Sequence, residues 1–261
     1  MSLDLHGKVA IVTGSSSGIG KSTALLMARR GAAVSVSADR NVQGGQATAD
    51  EIAAAGARSV FVQADVSQAA GCDRILERTL SAFGGVDILI NNAGVTRGKP
   101  LEEMDEEFWD AVLNTNLKSA YMMSRRVVGE MLSRGGGSVV NVSSVHGAAT
   151  RPGYAAYAAS KAGMCGMTRA LACEFGPRGV RFNCILPGTI DLSLHPRSKP
   201  SADPASWRPR GGEAQVLKRW GSPDEIAAAI CFLASEEASF VNGATLTADG
   251  GLLVLLKDRD S

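Results

Sequence analysis

The chain has 261 residues, 45% of them hydrophobic and 20% charged, with a formal net charge of +1 at neutral pH. That supplies apolar sequence for one large core, and the balanced charge gives no field favouring nucleic acid or an anionic membrane. No apolar run approaches the roughly 20 residues of a membrane-spanning helix, and the opening MSLDLHGKVAIVTG lacks a basic-then-apolar signal segment.

The first predicted strand is KVAIVTG, and it runs into SSSGIGKS, a stretch with two possible ligands. A triphosphate loop needs G-x-x-x-x-G-K-[ST], whose four middle residues wrap the phosphates. Counting back from Gly20, that first glycine falls on Ser15, while Gly14 is one residue too early. The dinucleotide form G-x-G-x-x-G fails as well, because the glycines are Gly14, Gly18 and Gly20. What remains is strand, G-x-x-x-G-x-G, helix, which can still bring backbone close to a pyrophosphate and aim a helix N-terminus at it. Lys21 and Ser22 then fall inside the helix, with the lysine expected in solvent.

Further strands are predicted in AAVSVSA, RSVFVQAD, VDILINNAG, GSVVNVSS and GVRFNCILPG. Helical spacing fills Gly20–Arg30, Val42–Ala55 and Ser67–Phe83 between them. Short apolar runs alternating with helices are the pattern of βαβ units, and continuous apolar strands imply a parallel sheet covered on both faces. The fold class is therefore α/β, a doubly wound Rossmann-type sheet, in one domain spanning 1–261. The stretch 192–212 is rich in proline and arginine without periodicity and reads as a surface lid. A helix resumes at SPDEIAAAICFLAS, where Ser222, Pro223 and Glu225 make a good start, and GATLTADGG supplies the last strand. Cys72, Cys165, Cys173, Cys184 and Cys231 are odd in number and never spaced CxxC, so buried free thiols and a cytoplasmic location are expected, with no metal site.

The chemistry concentrates in SSVHGAATRPGYAAYAASKAG. Tyr157 and Lys161 are four apart in a helical stretch, hence one turn apart on one face. Tyr154 shares the face but is seven residues from the lysine. A cation about 4 Å from a phenolate stabilises it by about 4 kcal/mol at an effective dielectric near 20, so a tyrosine beside a lysine can work as acid or base near neutrality. Ser143 and Ser144 end a strand and point to opposite faces, so only one can serve a site there.

The spacing TGSSSGIG resembles the cofactor loop of the short-chain dehydrogenase/reductase family. ADV at Ala64–Val66, NNAG at Asn91–Gly94, NTNLKS, VNVSS, YAASK, the Pro187–Gly188 pair and the final DGG follow in that family's order. The resemblance covers nearly the whole chain. It implies about seven parallel strands and NAD(P)-dependent interconversion of a secondary alcohol and a ketone. The stretch NNAGVTRGKPLEEMDEEFWDAVLNTNLKS most resembles the 3-oxoacyl-thioester reductase branch, which overlaps sugar and polyol dehydrogenases. The family resemblance assigns Ser144 to polarise the substrate oxygen, Tyr157 to exchange the proton, Lys161 to assist it and hold the nicotinamide ribose, and Asn116 to fix a water. Cofactor contacts are implied at Gly14, Ser17, Gly18, Ile19, Gly20, Asp39, Asp65, Val66, Asn92, Ala93, Gly94, Tyr157, Lys161, Pro187, Gly188 and Ile190. Leu192 stands where many relatives have the threonine that holds the carboxamide, which implies either a different grip on that group or Thr189 as a substitute.

Cofactor choice is read from SVSADRN. Ala38 replaces the acid common in NAD-preferring relatives, whereas Asp39 stands where NADP-preferring ones often have arginine, and Arg40 follows. A carboxylate there repels a 2′-phosphate, so NAD is favoured over NADP, although Asp39 could instead cap the helix starting near Val42. The resemblance also implies a homotetramer packed through the helix of YAASKAGMCGMTRALACEF. The competing readings are a triphosphate-using kinase, disfavoured by the slip at Ser15, and a non-catalytic nucleotide-sensing protein, disfavoured by the presence of both Tyr157 and Lys161.

Overall fold

In the computed structural model, which describes residues 4–192 and 212–254, alternate residues of the central strands feed two different cores. In β1 (Val9–Val12), Ala10 and Val12 face one way and Ile11 the other. In β4 (Ile88–Asn91), Ile88 and Ile90 join the first core and Leu89 the second. The same period of two runs through β5 (Gly137–Val142). A strand apolar on both faces must be covered on both, and helices do this. On one face lie α1 (Gly18–Arg29), α2 (Val42–Ala54) and α7 (Pro223–Ala234), through Met27, Ile52 and Ile230. On the other lie α3 (Ala69–Phe83), α5 (Ser119–Ser133) and α6 (Ala155–Phe175), through Ile75, Met123 and Ala172.

With β2 (Ala33–Ala38), β3 (Ser59–Gln63), β6 (Val180–Pro187) and β7 (Thr245–Ala248), the strands form one seven-stranded sheet in the order β3-β2-β1-β4-β5-β6-β7. Every pairing is parallel. The inner strands are buried except at Gly137 and Arg181, while the edge strands β3 and β7 are partly exposed. The expected single α/β domain with a parallel sheet of about seven strands is the one observed.

The strand order positions the site. After β3 the chain crosses to β4, on the opposite side of β1 from β2. The loops leaving β1 and β4 therefore part at their carboxyl ends, and a ligand crevice opens at such a switch point. Between β4 and β5 the chain forms α4 (Glu106–Leu113), a π-helical turn at Asn114–Lys118, and then α5. The lid expected at 192–212 falls outside the described residues except for Leu192 and Gly212.

Candidate active site

The loop after β1 is built from hydrogen bonds that hold it open toward the crevice. Ser15, the residue at the would-be triphosphate glycine, is buried: its Oγ donates to the Val12 carbonyl at 2.7 Å and accepts from the Ser37 amide at 3.0 Å. Asn92 Nδ2 donates to the carbonyls of Thr13 (2.9 Å) and Gly14 (3.0 Å), tying the β4 loop to the β1 loop. Gly14 adopts φ +64°, and a Cβ there would lie 2.8 Å from Ala93 Cα. At Gly20 a Cβ would come within 2.4 Å of both Asn92 Nδ2 and the Gly14 carbonyl oxygen. These glycines are therefore required by close backbone approach.

The helix that follows, α1, starts at Ser17 with no side-chain cap and no acid in its first turn. Its leading N–H groups face a cleft of about 690 Å³ whose wall includes Gly14, Ser16–Gly20, Ala38–Asn41, Ala64–Gln68 and Asn92–Val95. Uncapped N–H groups, the positive end of a helix dipole and a glycine floor without room for side chains fit a dinucleotide pyrophosphate. Lys21 does not serve it. Contrary to the solvated side chain expected, Lys21 is buried with its ammonium 2.9 Å from Glu51 of α2, so the cation that a triphosphate loop would need is committed elsewhere. Asp39 borders the cleft, and the α2 cap is not Asp39: Asn41 Oδ1 accepts from the Gly44 amide at 3.1 Å. The Asp39 carboxylate instead lies 3.6 Å from Arg40 Nε, both side chains substantially exposed.

A second network joins the three segments expected from the sequence to carry the chemistry. Asn116, in the π-helical turn, is fully buried: its Oδ1 accepts from the Val95 amide (2.7 Å), and its Nδ2 donates to the Val95 carbonyl (3.0 Å) and to Ser160 Oγ (3.1 Å). Ser160 Oγ in turn donates to the Tyr157 carbonyl at 2.7 Å. A Cβ on Gly94 would lie 3.1 Å from Asn116 Oδ1 and 3.6 Å from Lys161 Nζ, so the β4 loop, the π turn and α6 converge there. Lys161 is buried, its ammonium donates to the Val142 carbonyl at 2.8 Å and sits 5.8 Å from the Tyr157 ring centre. Burial pushes the Lys161 ammonium down to about 8, because a charge removed from water favours its neutral form.

The two serines and two tyrosines divide their work. Ser143 Oγ donates to the Lys161 carbonyl at 2.8 Å and is structural. Ser144 Oγ accepts from the His146 amide at 3.2 Å, at the head of a short 3₁₀ turn, Val145–Gly147. The His146 ring then stacks between Tyr154 (5.1 Å) and Tyr157 (5.3 Å, edge-on), which brings the Ser144 segment against Tyr157. Burial, helped by the charge of Arg151, pushes the imidazole below its ordinary value. Tyr154 is engaged: its hydroxyl accepts from Arg151 Nη2 at 2.9 Å, and the guanidinium lies 4.5 Å over its ring. No such partner holds the Tyr157 hydroxyl among the described residues, which leaves it available for a substrate oxygen.

Of the expected cofactor contacts, Gly14, Ser17, Gly18, Ile19, Gly20, Asp39, Asp65, Val66, Asn92, Ala93 and Gly94 line the cleft together. Tyr157, Lys161, Pro187, Gly188 and Ile190 are not in its wall. Gly188 packs on Asp249, where a Cβ would lie 2.7 Å from Cα, and Ile190 bridges to Gly221. Leu192 reaches the cleft, 3.2 Å from where a Gly18 Cβ would be. Three residues of the site went unassigned from sequence: Thr13, whose Oγ1 accepts from the Asn92 and Ala93 amides (both 3.0 Å); Ser160; and His146. Thr13 and Ser160 lie inside the quoted stretches VTG and YAASK, while His146 carries no spacing signal.

The chain is similar to known proteins over nearly its whole length. Residues 14–253 match a family model described as Enoyl-(Acyl carrier protein) reductase. A 3-oxoacyl-[acyl-carrier-protein] reductase of Thermotoga maritima is 38% identical over 250 residues, 96% of this chain and 99% of that one. A (2S)-[(R)-hydroxy(phenyl)methyl]succinyl-CoA dehydrogenase subunit of Thauera aromatica is 38% identical over 252 residues, 95% of this chain and 98% of that one. A solved Sinorhizobium meliloti chain named as a short-chain alcohol dehydrogenase superposes with a TM-score of 0.89 at 35% identity, covering 97% of this chain and 99% of that one.

Proposed function

Because the chain belongs to the short-chain dehydrogenase/reductase family and is an NAD(P)-dependent oxidoreductase, we propose that Ser144, Tyr157, Lys161 and Asn116 carry its turnover. The nicotinamide, when bound, supplies or accepts the hydride. Ser144 Oγ polarises the substrate oxygen, and the unengaged Tyr157 hydroxyl gives that oxygen a proton in reduction or removes it in oxidation. Lys161, a buried cation beside the tyrosine ring, offsets negative charge on the phenol oxygen and offers its remaining N–H groups to a ribose hydroxyl. Both Nδ2 hydrogens of Asn116 are used within the protein, so its side chain acts by holding the Val95 loop to α6 and keeps one Oδ1 lone pair for a water. The single observation carrying this reading is the Asn116–Ser160–Tyr157 chain ending beside the buried Lys161. Tyr157→Phe is expected to lower kcat by about 10²–10⁴-fold with cofactor affinity retained, and Tyr154→Phe to lower it less than tenfold. The reverse ranking in steady-state kinetics would refute the assignment.

The substrate proposed is a 3-oxoacyl or 3-hydroxyacyl thioester, since both curated relatives above are named for acyl thioesters. NAD is the proposed cofactor. With α2 capped by Asn41, the Asp39 carboxylate is left at the cleft to accept from a ribose 2′-hydroxyl and repel a 2′-phosphate. A tenfold higher kcat/KM with NADP would mean that Arg40 governs the pocket. A homotetramer is proposed from the small residues exposed on α6, including Ala155, Ala159, Ala162 and Ala170, beside half-exposed Tyr121 of α5. A monomeric mass by light scattering at micromolar concentration would end that reading. Among the described residues no helix is long and apolar enough to cross a membrane.

A further inference from the structure

Two of the five cysteines meet behind the catalytic residues. Cys165 lies one turn beyond Lys161 on α6, and Cys184 lies in β6 between Asn141 of β5 and Thr245 of β7. Their sulfurs are 3.7 Å apart. Cys165 Sγ also lies 3.4 Å from the Lys161 carbonyl oxygen and 3.7 Å from Ser143 Oγ, the hydroxyl that itself bonds the Lys161 carbonyl. The other three thiols have no cysteine neighbour: Cys72 Sγ reaches the Val66 carbonyl, Cys231 is buried in the α1/α7 core, and Cys173 is exposed. We infer that Cys165 and Cys184 are a dithiol modification site, which a hydroperoxide converts to a disulfide that slows turnover through Lys161.

The chemistry needs one thiolate with a thiol beside it. Cys165 is held down to about 6, chiefly by the Cys184 thiol hydrogen-bonding its sulfur, with smaller help from Ser143, Arg169 and Thr245, against the opposing effect of burial. The same pairing and burial push Cys184 up, so it stays protonated as the resolving partner. Cys72 and Cys231 are pushed up to about 11 and about 12, chiefly by burial, and have no second thiol beside them to offset it. In the first step the Cys165 thiolate attacks one peroxide oxygen, the O–O bond breaks, and hydroxide leaves and is protonated to water. In the second the Cys184 sulfur attacks the resulting sulfenic acid, its S–O bond breaks, and a second water leaves with the Cys184 proton. Two thiols are oxidised and one peroxide is reduced. A disulfide bond is about 2.05 Å long, so the sulfurs must close by about 1.7 Å. That motion draws the Cys165 turn of α6 toward β6 and breaks the contact with the Lys161 carbonyl. The α1 loop lies on other elements and is untouched.

The thiol part stands on geometry alone; the effect on rate also rests on the role proposed for Lys161. The experiment treats the reduced full-length protein with hydrogen peroxide, maps cysteine-containing peptides by mass spectrometry, and measures kcat and cofactor Kd before and after dithiothreitol. Expected is a Cys165–Cys184 cross-linked peptide lighter by two hydrogens, a kcat at least tenfold lower, unchanged cofactor Kd and recovery with dithiothreitol. Cys184→Ala and Cys165→Ala should each keep kcat under the same treatment, and either one suffices if the other fails to fold. Absence of the cross-link in the wild-type map, with oxidation at Cys173 instead, would overturn the site whatever the activity does. A complete cross-link with unchanged kcat would overturn the control of turnover while leaving the oxidoreductase reading intact.

Discussion

Helices α1 and α7 lie on the same face of the sheet and share one core, where Ala24 and Met27 of the first meet Ile226 and Ile230 of the second. Their beginnings are opposite. Ser222 Oγ accepts from the Glu225 amide and Glu225 Oε2 accepts from the Ser222 amide (2.8 Å), a complete capping box, with Pro223 next and Arg219 bonded to the same carboxylate. That pairing and the backbone bonds hold Glu225 down to about 2. α1 has no cap, no acid and a glycine floor. Since both helices bury the same kind of face, packing cannot account for the difference. A helix that only supports the sheet satisfies its own first turn, whereas one that receives an anion leaves that turn unmet. Lys161 belongs with α1 in this respect, a buried cation with one described protein acceptor.

The largest break in the comparison is Gly20→Ala. Its Cβ would sit 2.4 Å from Asn92 Nδ2 and from the Gly14 oxygen, so the two loops must part. A loss of at least about a hundredfold in cofactor affinity is expected by calorimetric titration, on the order of 2.7 kcal/mol. An unchanged Kd would show that the loop does not hold the cofactor. Ser17→Asp gives α1 the cap and charge that α7 already has. Stability should rise by about 0.5–1 kcal/mol in urea unfolding, while cofactor affinity falls about tenfold or more. Tighter cofactor binding in this variant would reverse the assignment of the two helix starts.

The Lys161 charge makes a prediction in pH. Its native value of about 8 lies below its ordinary 10.5, so between those limits the unfolded chain binds more protons and stability rises with pH. From pH 8 to 9 the gain is about 1 kcal/mol, and turnover should fall over the same interval as the ammonium is lost. Above about pH 9 the buried thiols of Cys72 and Cys231 oppose the rise, because the unfolded chain releases their protons first. Denaturant titrations of wild type and Lys161→Met test this: Cys165, held below its ordinary range, adds a rise of the same sign over this interval, so the Lys161 share is the difference between the two curves, and identical curves would assign the whole rise to another group. The smallest effect is Ser222→Ala, expected to lose about 0.5–1 kcal/mol of stability with cofactor Kd unchanged within about twofold.

The apolar rhythm of the chain was enough to give the α/β class and the parallel sheet, because a strand buried on both faces must be apolar at consecutive positions. The glycine spacing after β1 and the four-residue separation of Tyr157 and Lys161 were equally legible, since both are local geometry written in adjacent residues. The pattern around Asn114–Lys118 gave no hint of a π-helical turn, which is stabilised by contacts of Asn116 with Val95 and Ser160, far away in sequence. Lys21 looked like a surface lysine because its partner, Glu51, is on another helix. Asp39 was the cap considered for α2, whereas the structure places Asn41 there, a residue the sequence reading had not singled out. The same holds for Ser143 and Ser144, for the arginine that occupies Tyr154, and for the meeting of Cys165 with Cys184: sequence supplied the groups, and their partners were decided where distant elements pack, since a side chain's charge, access and bonding depend on what the fold brings against it.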